Sequence, residues 1–227
     1  MIRVTENLRK IRDLLVIAAV EADRDPDTVR LLAVSKKHPL DSVLAAAALG
    51  QRDFGENTVQ EGLDKIQATV DEGLTWHFIG HLQSNKTRVV AENFDWVHTI
   101  DKLKIAKRLS QQRPAELAPL NICIQVNIDN EPSKSGAGID ELGDLAAACS
   151  ELPNIRLRGL MCLPAIREEF EAQRKPFAKL RELAEALQRS AVPIDTLSMG
   201  MTADYRAAIF EGATIVRIGT AVFGERA

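Results

Sequence analysis

Short apolar runs and amphipathic stretches alternate along the chain from about residue 29 to its end. The apolar runs are rich in β-branched residues and lack a polar face, as do strands that a parallel sheet buries on both sides. We predict strands at 29–35, 52–57, 75–80, 96–100, 120–128, 155–163, 194–198 and 215–223. The run at 52–57, RDFGEN, is the weakest of them.

Between these runs, apolar residues recur every three to four positions, which predicts a helix after each strand. About eight β-α units in 227 residues favour a closed (β/α)8 TIM barrel, usually ~250 residues long, over an open doubly wound sheet. An extra N-terminal helix is predicted at about 4–22, where Leu8, Ile11 and Leu15 form an apolar stripe. No linker-like stretch divides the chain, so we expect one domain over residues 1–227.

Composition narrows the class of function. The net charge of −3, the pI of about 5.9 and an aromatic content of 4% argue against a nucleic-acid partner. The three cysteines lie far apart without a C-x-x-C pair, so we expect neither a disulfide framework nor a metal site, in a reducing cytoplasm. No apolar run reaches the ~20 residues that span a bilayer, so no membrane partner is expected.

The carboxyl ends of the strands form the active face of such barrels, and a lysine pair stands at the first of them. In LLAVSKKHP, alternation places Lys36 and Lys37 on opposite faces, and the pattern does not decide which one points inward. A lysine desolvated there would be a neutral nucleophile able to form a Schiff base. The alternative is a strand-end lysine that reaches out to water.

The last two strands carry residues suited to an anion. Arg217 interrupts the apolar run IVRIGTAVFG, and a buried guanidinium keeps its charge and needs an acceptor. Gly219 and Thr220 follow it, while Ser198 and Gly200 end the preceding strand ahead of the next helix. Glycine backbone, hydroxyl groups and a helix N-terminus all favour phosphate. The alternative is that these residues have a structural role only, in which the glycines allow close packing and the arginine forms an ion pair.

A lysine on strand one and a phosphate site on strands seven and eight suggest a ligand with both an aldehyde and a phosphate, as pyridoxal 5′-phosphate (PLP) has. Two further residues are weaker candidates. His77 in HFIGHLQSNK has the pattern of a buried core histidine, and Lys134 in SKSG has that of a solvated basic loop.

Eight segments resemble, in order and over essentially the whole chain, the motifs of the pyridoxal phosphate homeostasis protein family. They are LLAVSKKHP, QRDFGENTVQEGLDK, WHFIGHLQSNK, FDWVHTID, SKSG, RGLMCLP, LSMGMTADYRAAI and VRIGTAVFG. The resemblance implies an alanine-racemase-like barrel, PLP fold type III, with PLP as cofactor. It also implies a monomer that acts in intracellular PLP homeostasis, with PLP-dependent apo-enzymes as recipients.

The resemblance further implies roles for individual positions. Lys36 would be the Schiff-base lysine, and Arg217 would face the pyridine nitrogen. Asn57 would flank the cofactor ring, with His77 and Met161 in its surroundings. The phosphate would be bound by Ser198, Gly200, Met201, Gly219 and Thr220.

The sequence departs from the family pattern at two places. Many relatives have a K-T-K-like run where this chain has Ser35-Lys36-Lys37, so that Lys37 adds a second positive charge beside the nucleophile. Relatives also have S-x-D where this chain has Thr202-Ala203-Asp204, near the expected start of a helix. Lys134 is similar to a family lysine implicated in secondary PLP contact.

PLP binding does not by itself imply catalysis. An arginine at the pyridine nitrogen leaves the ring a weaker electron sink than a carboxylate would. Racemisation needs two opposed bases, yet Tyr205 is the single tyrosine and no second domain is expected. We therefore expect a carrier that holds PLP as a lysine aldimine, without catalytic residues. The alternatives are a compact, low-activity PLP-dependent amino-acid racemase and a cofactor-free Schiff-base aldolase.

Overall fold

The computed structural model describes residues 2–131 and 134–225. Its strands are β1 (Arg30–Val34), β2 (Asp53–Glu56), β3 (Thr75–Phe78), β4 (Trp96–Ile100), β5 (Leu120–Val126), β6 (Ile155–Cys162), β7 (Thr196–Ser198) and β8 (Ile215–Ile218). Neighbouring strands pair in parallel in chain order, and β1 also pairs with β8. The sheet is therefore a closed eight-stranded barrel, which confirms the predicted TIM barrel over the open sheet.

A helix precedes the barrel, and others cover its outside. Within the described ranges they are α1 (Ile2–Glu21), α2 (Leu40–Ala47), α3 (Val59–Ala68), α4 (Thr87–Asn93), α5 (Leu103–Gln112), α6 (Leu142–Ser150), α7 (Phe170–Arg189), α8 (Tyr205–Phe210) and α9 (Thr220–Phe223). The bounds of α1 agree with the predicted N-terminal helix. In this part of the chain, no helix combines the length and the apolar character that crossing a bilayer requires.

The apolar stripe of α1 explains its position. Leu8, Ile11 and Leu15 are each at most 6% exposed, and the helix packs against α2, α8 and α9. Burial of such side chains stabilises the fold by roughly 1.5–3 kcal/mol each. Because α9 directly follows the last strand, α1 supports the loop that ends the barrel.

Two predicted boundaries at the carboxyl ends of β7 and β8 differ from the structure. The apolar run 215–223 is not one strand, because β8 stops at Ile218 and Thr220–Phe223 form α9. The helix expected near Thr202 begins at Tyr205. Before it, Asp204 Oδ1 accepts the Met201 N–H at 2.6 Å, which stabilises a turn over the residues between them.

The barrel interior differs from the apolar layer between strands and helices. Trp96, Cys123 and Met161 form a small buried cluster of their own, apart from the main core. Beside them lie buried polar side chains, His77, His98, Ser198 and Arg217, none more than 5% exposed. Buried polar groups require hydrogen-bond partners, so this interior must contain a connected network.

Candidate functional site

A cavity of about 640 Å³ opens at the carboxyl ends of the strands. Its volume lies within the ~300–1,000 Å³ of small-molecule sites. The predicted residues that line it are Lys36, Asn57, Met161, Met201, Arg217, Gly219 and Thr220, together with Lys134. His77, Ser198 and Gly200 are buried and lie outside this lining.

The turn after β1 separates the two adjacent lysines. Lys36 is partly buried and lines the cavity, whereas Lys37 is exposed. Lys37 also has a φ of 60°, the left-handed region that side chains other than glycine adopt at a cost. A residue held in that region needs stabilising contacts with its surroundings. Side chains of the motif VQEGLDK, in α3, provide them through hydrogen bonds.

Side chains of α3 hold this turn from outside the barrel. The Lys37 N–H donates to Glu61 Oε1 at 2.5 Å, and Lys65 Nζ donates to the same oxygen at 2.8 Å. Lys65 Nζ also donates to the Ser35 carbonyl at 2.8 Å. Both ends of the turn that presents Lys36 are thus tied to one buried ammonium group.

Glu56 completes this network at the end of β2. Its Oε1 accepts from Ser35 Oγ at 2.6 Å and from Lys65 Nζ at 2.7 Å. Its Oε2 is buried and has no hydrogen-bond partner in the described structure. Burial raises the pKa of Glu56 above its ordinary value, although Lys65 and Ser35 act against that shift. Sequence patterns alone did not distinguish Glu56, Glu61 and Lys65 from the other residues of the motif QRDFGENTVQEGLDK.

Arg217 lies on β8, is 5% exposed and lines the cavity from the barrel interior. Its Nη1 donates to Ser198 Oγ at 2.8 Å and its Nη2 donates to the Cys162 carbonyl at 2.9 Å. Burial lowers the pKa of Arg217, but a guanidinium stays protonated in proteins. The side chain is therefore a fixed cation whose hydrogen bonds go to a hydroxyl and a carbonyl oxygen rather than to a carboxylate.

Below Arg217 lie residues whose role the sequence did not reveal. His77 contacts Asp53 through Nε2 and His98 through Nδ1, and His98 in turn contacts Ser198. His77 is thus a partnered histidine of the barrel interior. The Ser198 hydroxyl, predicted to contact phosphate, lies between His98 Nδ1 and Arg217 Nη1, each at 2.8 Å.

The loops after β7 and β8 approach the cavity through glycines. Gly200 has a φ of 89°, and a Cβ there would meet the Ala208 Cβ at 2.6 Å, so only glycine lets α8 pack this close. A Cβ on Gly219 would meet the Val34 carbonyl oxygen at 3.2 Å, tighter than an ordinary contact. Thr220 is exposed at the first position of α9 and lines the cavity.

The chemistry of the cavity is cationic and contains hydrogen-bond donors. Lys36, Lys134 and Arg217 line it, with donors from Asn57 and Thr220 and apolar walls elsewhere. No acidic side chain belongs to its lining in the described ranges, which contain no cluster of His, Cys, Asp and Glu placed to hold a metal ion either. This donor set suits an anionic ligand that also carries a group able to react with an amine.

An ion pair fixes the rim of the cavity. Asp129, after β5, accepts from Arg167 Nη2 at 2.5 Å and from the Ala165 N–H at 2.6 Å. Burial alone would raise the pKa of Asp129, but the hydrogen bonds from Arg167 and Ala165 hold it below its ordinary value. The segment that carries Leu163 into the lining is thereby tied to the neighbouring loop.

Comparison with known sequences places the chain among named relatives. It matches the family model described as alanine racemase, N-terminal domain, over residues 4–227. The pyridoxal phosphate homeostasis protein of Pseudomonas aeruginosa is 55% identical over 226 residues, covering 100% of this chain and 97% of the relative. The protein of the same name from Escherichia coli K12 is 53% identical over 229 residues, covering 98% and 97%.

Solved structures agree with this placement. PipY of Synechococcus elongatus, determined with PLP bound, has a TM-score of 0.86 and 36% identity, covering 97% of this chain and 100% of that one. An alanine racemase of Clostridium difficile has a TM-score of 0.79 at 14% identity, covering 99% of this chain and 57% of that one, and shows the fold alone. The chain therefore belongs to the alanine racemase N-terminal domain family and, within it, to the pyridoxal phosphate homeostasis proteins.

Proposed function

We propose that this chain binds PLP in the cavity at the carboxyl ends of its strands and serves PLP homeostasis as a carrier. The observation that carries the proposal is the convergence of Lys36 and Arg217 on one cavity from the adjacent strands β1 and β8. Gly219 and Thr220 lie at the same strand end. Full-length relatives named for PLP homeostasis, and PipY with PLP bound, support this assignment.

The residues present fit the chemistry of PLP. Bound PLP supplies an aldehyde carbon that amines attack reversibly, and Lys36 provides a partly buried amine inside the cavity. Its phosphate dianion suits the loops at 200–202 and 219–220, where glycine allows close backbone approach. Arg217 can only donate, so a pyridine nitrogen facing it would accept a hydrogen bond and stay unprotonated.

Asn57 and Met161 line the walls between these two ends. A Cβ on Gly80 would overlap the Asn57 carbonyl, so this glycine lets the chain carrying Asn57 approach the next loop. Met161 belongs to the buried cluster with Trp96 and Cys123, which gives the base of the cavity an apolar surface. We assign both residues to contact with the cofactor ring.

The cavity does not favour a racemase. Racemisation requires a second acid-base group opposite the lysine, and the described lining contains no tyrosine, histidine or cysteine. Tyr205 lies on α8 and lines a separate groove beside α1. The second amine of the lining, Lys134, pairs with Glu131 at 2.7 Å, so the lining as a whole is consistent with the function as a carrier.

The finer features of the carrier follow from the same proposal. The whole chain, residues 1–227, would act as one PLP-binding domain and as a monomer that supplies PLP-dependent apo-enzymes in the cytoplasm. The family model spans residues 4–227, and Leu163 and Met201 at the cavity mouth are 39% and 38% exposed, within reach of a recipient. Burial raises the pKa of Cys123 to about 12, which fits thiols that stay reduced.

The test is borohydride reduction of the PLP-loaded protein followed by peptide mass mapping. The expected result is a pyridoxyl adduct on Lys36, which Lys36→Ala abolishes and Lys37→Ala retains, since the Lys37 side chain is exposed. An adduct confined to Lys37 or Lys134 would contradict the assignment. Robust turnover with a panel of free amino acids would contradict the carrier function.

A further inference from the structure

A chain of hydrogen bonds crosses the barrel from the cavity to its opposite end. Arg217 Nη1 contacts Ser198 Oγ at 2.8 Å, and Ser198 Oγ contacts His98 Nδ1 at 2.8 Å. His98 Nε2 then contacts His77 Nδ1 at 2.9 Å, and His77 Nε2 contacts Asp53 Oδ1 at 3.0 Å. Asp53 is the first residue of β2, so it lies at the amino end of the barrel, away from the cavity.

The two end groups of this series of hydrogen bonds, Arg217 and Asp53, determine the direction of every hydrogen bond in it. A guanidinium can only donate, so Ser198 Oγ accepts from Arg217 and its own hydroxyl proton is left for His98. A carboxylate can only accept, so His77 gives its Nε2 proton to Asp53. With neutral rings, His77 Nδ1 must then accept from His98 Nε2–H, and His98 Nδ1 accepts from Ser198. All four donors point from the cavity toward Asp53.

The surroundings favour neutral rings. His77 and His98 are fully buried, and burial lowers the pKa of His98 well below its ordinary value. The positive charges of Arg217 and Arg30 act in the same sense on His98. Burial also lowers the pKa of His77, against the raising effect of Asp53. Trp96 stacks on His77 with the ring centroids 5.3 Å apart and thereby fixes the plane of that ring.

We propose that Asp53 is a positioning residue for the cofactor site, acting on Arg217 through His77, His98 and Ser198 from the opposite end of the barrel. The carboxylate sets the tautomer of His77, and that tautomer sets the direction of the remaining bonds. Ser198 Oγ then accepts from Arg217, and its hydroxyl proton is donated to His98 Nδ1 rather than to a phosphate.

The consequence for the cofactor lies in the orientation of the guanidinium. With Nη1 bound to Ser198 and Nη2 bound to the Cys162 carbonyl, the plane of the Arg217 guanidinium is fixed, and so is the direction of its other N–H groups. This inference rests on the proposed binding of PLP, because that function gives the orientation of Arg217 its effect on a ligand. The tautomer assignment itself holds without any ligand.

The first experiment is nitrogen-15 NMR of the histidine rings in the PLP-free protein. The chain contains four histidines, and His38→Gln and His81→Gln identify the two signals that lie outside the network. The expected result is that His77 and His98 are both neutral with the proton on Nε2. A proton on Nδ1 of either ring would overturn the inference, even if PLP binds as proposed.

The second experiment compares variants of Asp53. Asp53→Ala removes the acceptor, and we expect a loss of PLP affinity of about tenfold together with a changed His77 signal. Asp53→Asn keeps an acceptor oxygen at the same place, so it should restore both readouts to within about twofold of the wild type. Unchanged affinity and an unchanged His77 signal in Asp53→Ala would overturn the inference.

Asp195→Ala is the matched control. Asp195 directly precedes β7 at the amino end of the barrel and pairs with Arg158 at 2.7 Å, as Asp53 pairs with Arg30 at 3.4 Å, but it has no place in the hydrogen-bonded series from Arg217 to Asp53. We expect it to leave both readouts unchanged. If the wild type fails to bind PLP, the proposed function fails, whereas the NMR result still decides whether the one-way network exists.

Discussion

Adjacent lysines at the end of β1 meet different surroundings because the backbone between them turns sharply. Alternation along a strand predicts that Lys36 and Lys37 face opposite ways, but it leaves their directions open. The turn decides the matter, since Lys37 takes a φ of 60° and its side chain is exposed while Lys36 enters the cavity. Glu61 and Lys65, which fix that turn, therefore determine which amine is available to a ligand.

Lys65 is buried among groups that depend on its charge. Its ammonium contacts Glu56 at 2.7 Å and Glu61 at 2.8 Å, and its side chain is 7% exposed. Lys65→Met leaves the buried Glu56 carboxyl and the Ser35 carbonyl without this donor, so we expect the free energy of unfolding to fall by about 3 kcal/mol. Urea denaturation measures the change.

Arg88→Met is the control for that measurement. Arg88 and Glu92 are 3.6 Å apart on an exposed face of α4, with side chains 67% and 40% exposed. Removing this pair should change the free energy of unfolding by less than about 0.5 kcal/mol. Equal losses in the two variants would show that the buried network does not hold the turn.

The elements of the barrel were predictable because their signals are local. Each predicted strand overlaps an observed one, and even the weak RDFGEN run forms β2 over Asp53–Glu56. The end of β8 was not predictable, because TAVF is apolar in either conformation. There, the short helix α9 follows the strand and packs against α1, and this tertiary contact gives no local signal in the sequence.

The lining of the site was partly predictable for the same reason. Lys36, Asn57 and Arg217 stand at or beyond strand ends, where the topology of a barrel brings side chains together. The hydrogen-bond network beneath these residues was not predictable, because it joins residues that are distant in sequence. His98 and Ser198, for example, are 100 positions apart. Only the closed sheet brings those two side chains together.

At the level of the elements, Gly200 sets how closely α8 approaches the end of β7. A Cβ there would meet Ala208 Cβ at 2.6 Å, and the φ of 89° is unfavourable for other residues. Gly200→Ala should therefore lower the free energy of unfolding by about 2–4 kcal/mol, the sum of backbone strain and overpacking. Chemical denaturation of the variant tests this.

Gly50→Ala separates the two contributions. Gly50 has a similar φ of 79° but nothing within 4 Å of a built Cβ, so only the backbone strain of about 1–2 kcal/mol should appear. The difference between the variants then reports the contact with α8. If both glycine substitutions cost the same, helix packing does not explain why residue 200 is glycine.

For the whole molecule, the buried histidines link stability to pH. Burial lowers the folded-state pKa of both His77 and His98. The charges that act on His77 come from Asp53, Asp95 and Arg30, and those that act on His98 come from Arg217 and Arg30. In the unfolded chain each ring titrates near its ordinary pKa of ~6.5. Below that pH the unfolded state binds more protons than the folded state, so stability must fall as the solution becomes more acidic.

Buried carboxyl groups act in the opposite sense. Burial raises the folded-state pKa of Glu56 and of Asp204. As the pH falls, these carboxyl groups bind protons in the folded state before they do so in the unfolded state, which restores part of the stability lost through the histidines. Each histidine that is neutral in the folded state can lower the free energy of unfolding by up to ~1.4 kcal/mol per pH unit. The loss from two such histidines is larger than the part that the carboxyl groups restore. We therefore expect a net fall of about 1–3 kcal/mol between pH 6.5 and pH 5.

Urea denaturation at closely spaced pH values across this interval checks the expected fall. His81→Gln should leave the slope unchanged, because His81 is exposed and stands outside the buried network. Glu56→Gln removes one opposing carboxyl group, so its slope should be at least as steep as that of the wild type. A flat or rising profile toward pH 5 would mean that protons enter the barrel without unfolding it, and the hydrogen-bonded interior would then not depend on neutral histidines.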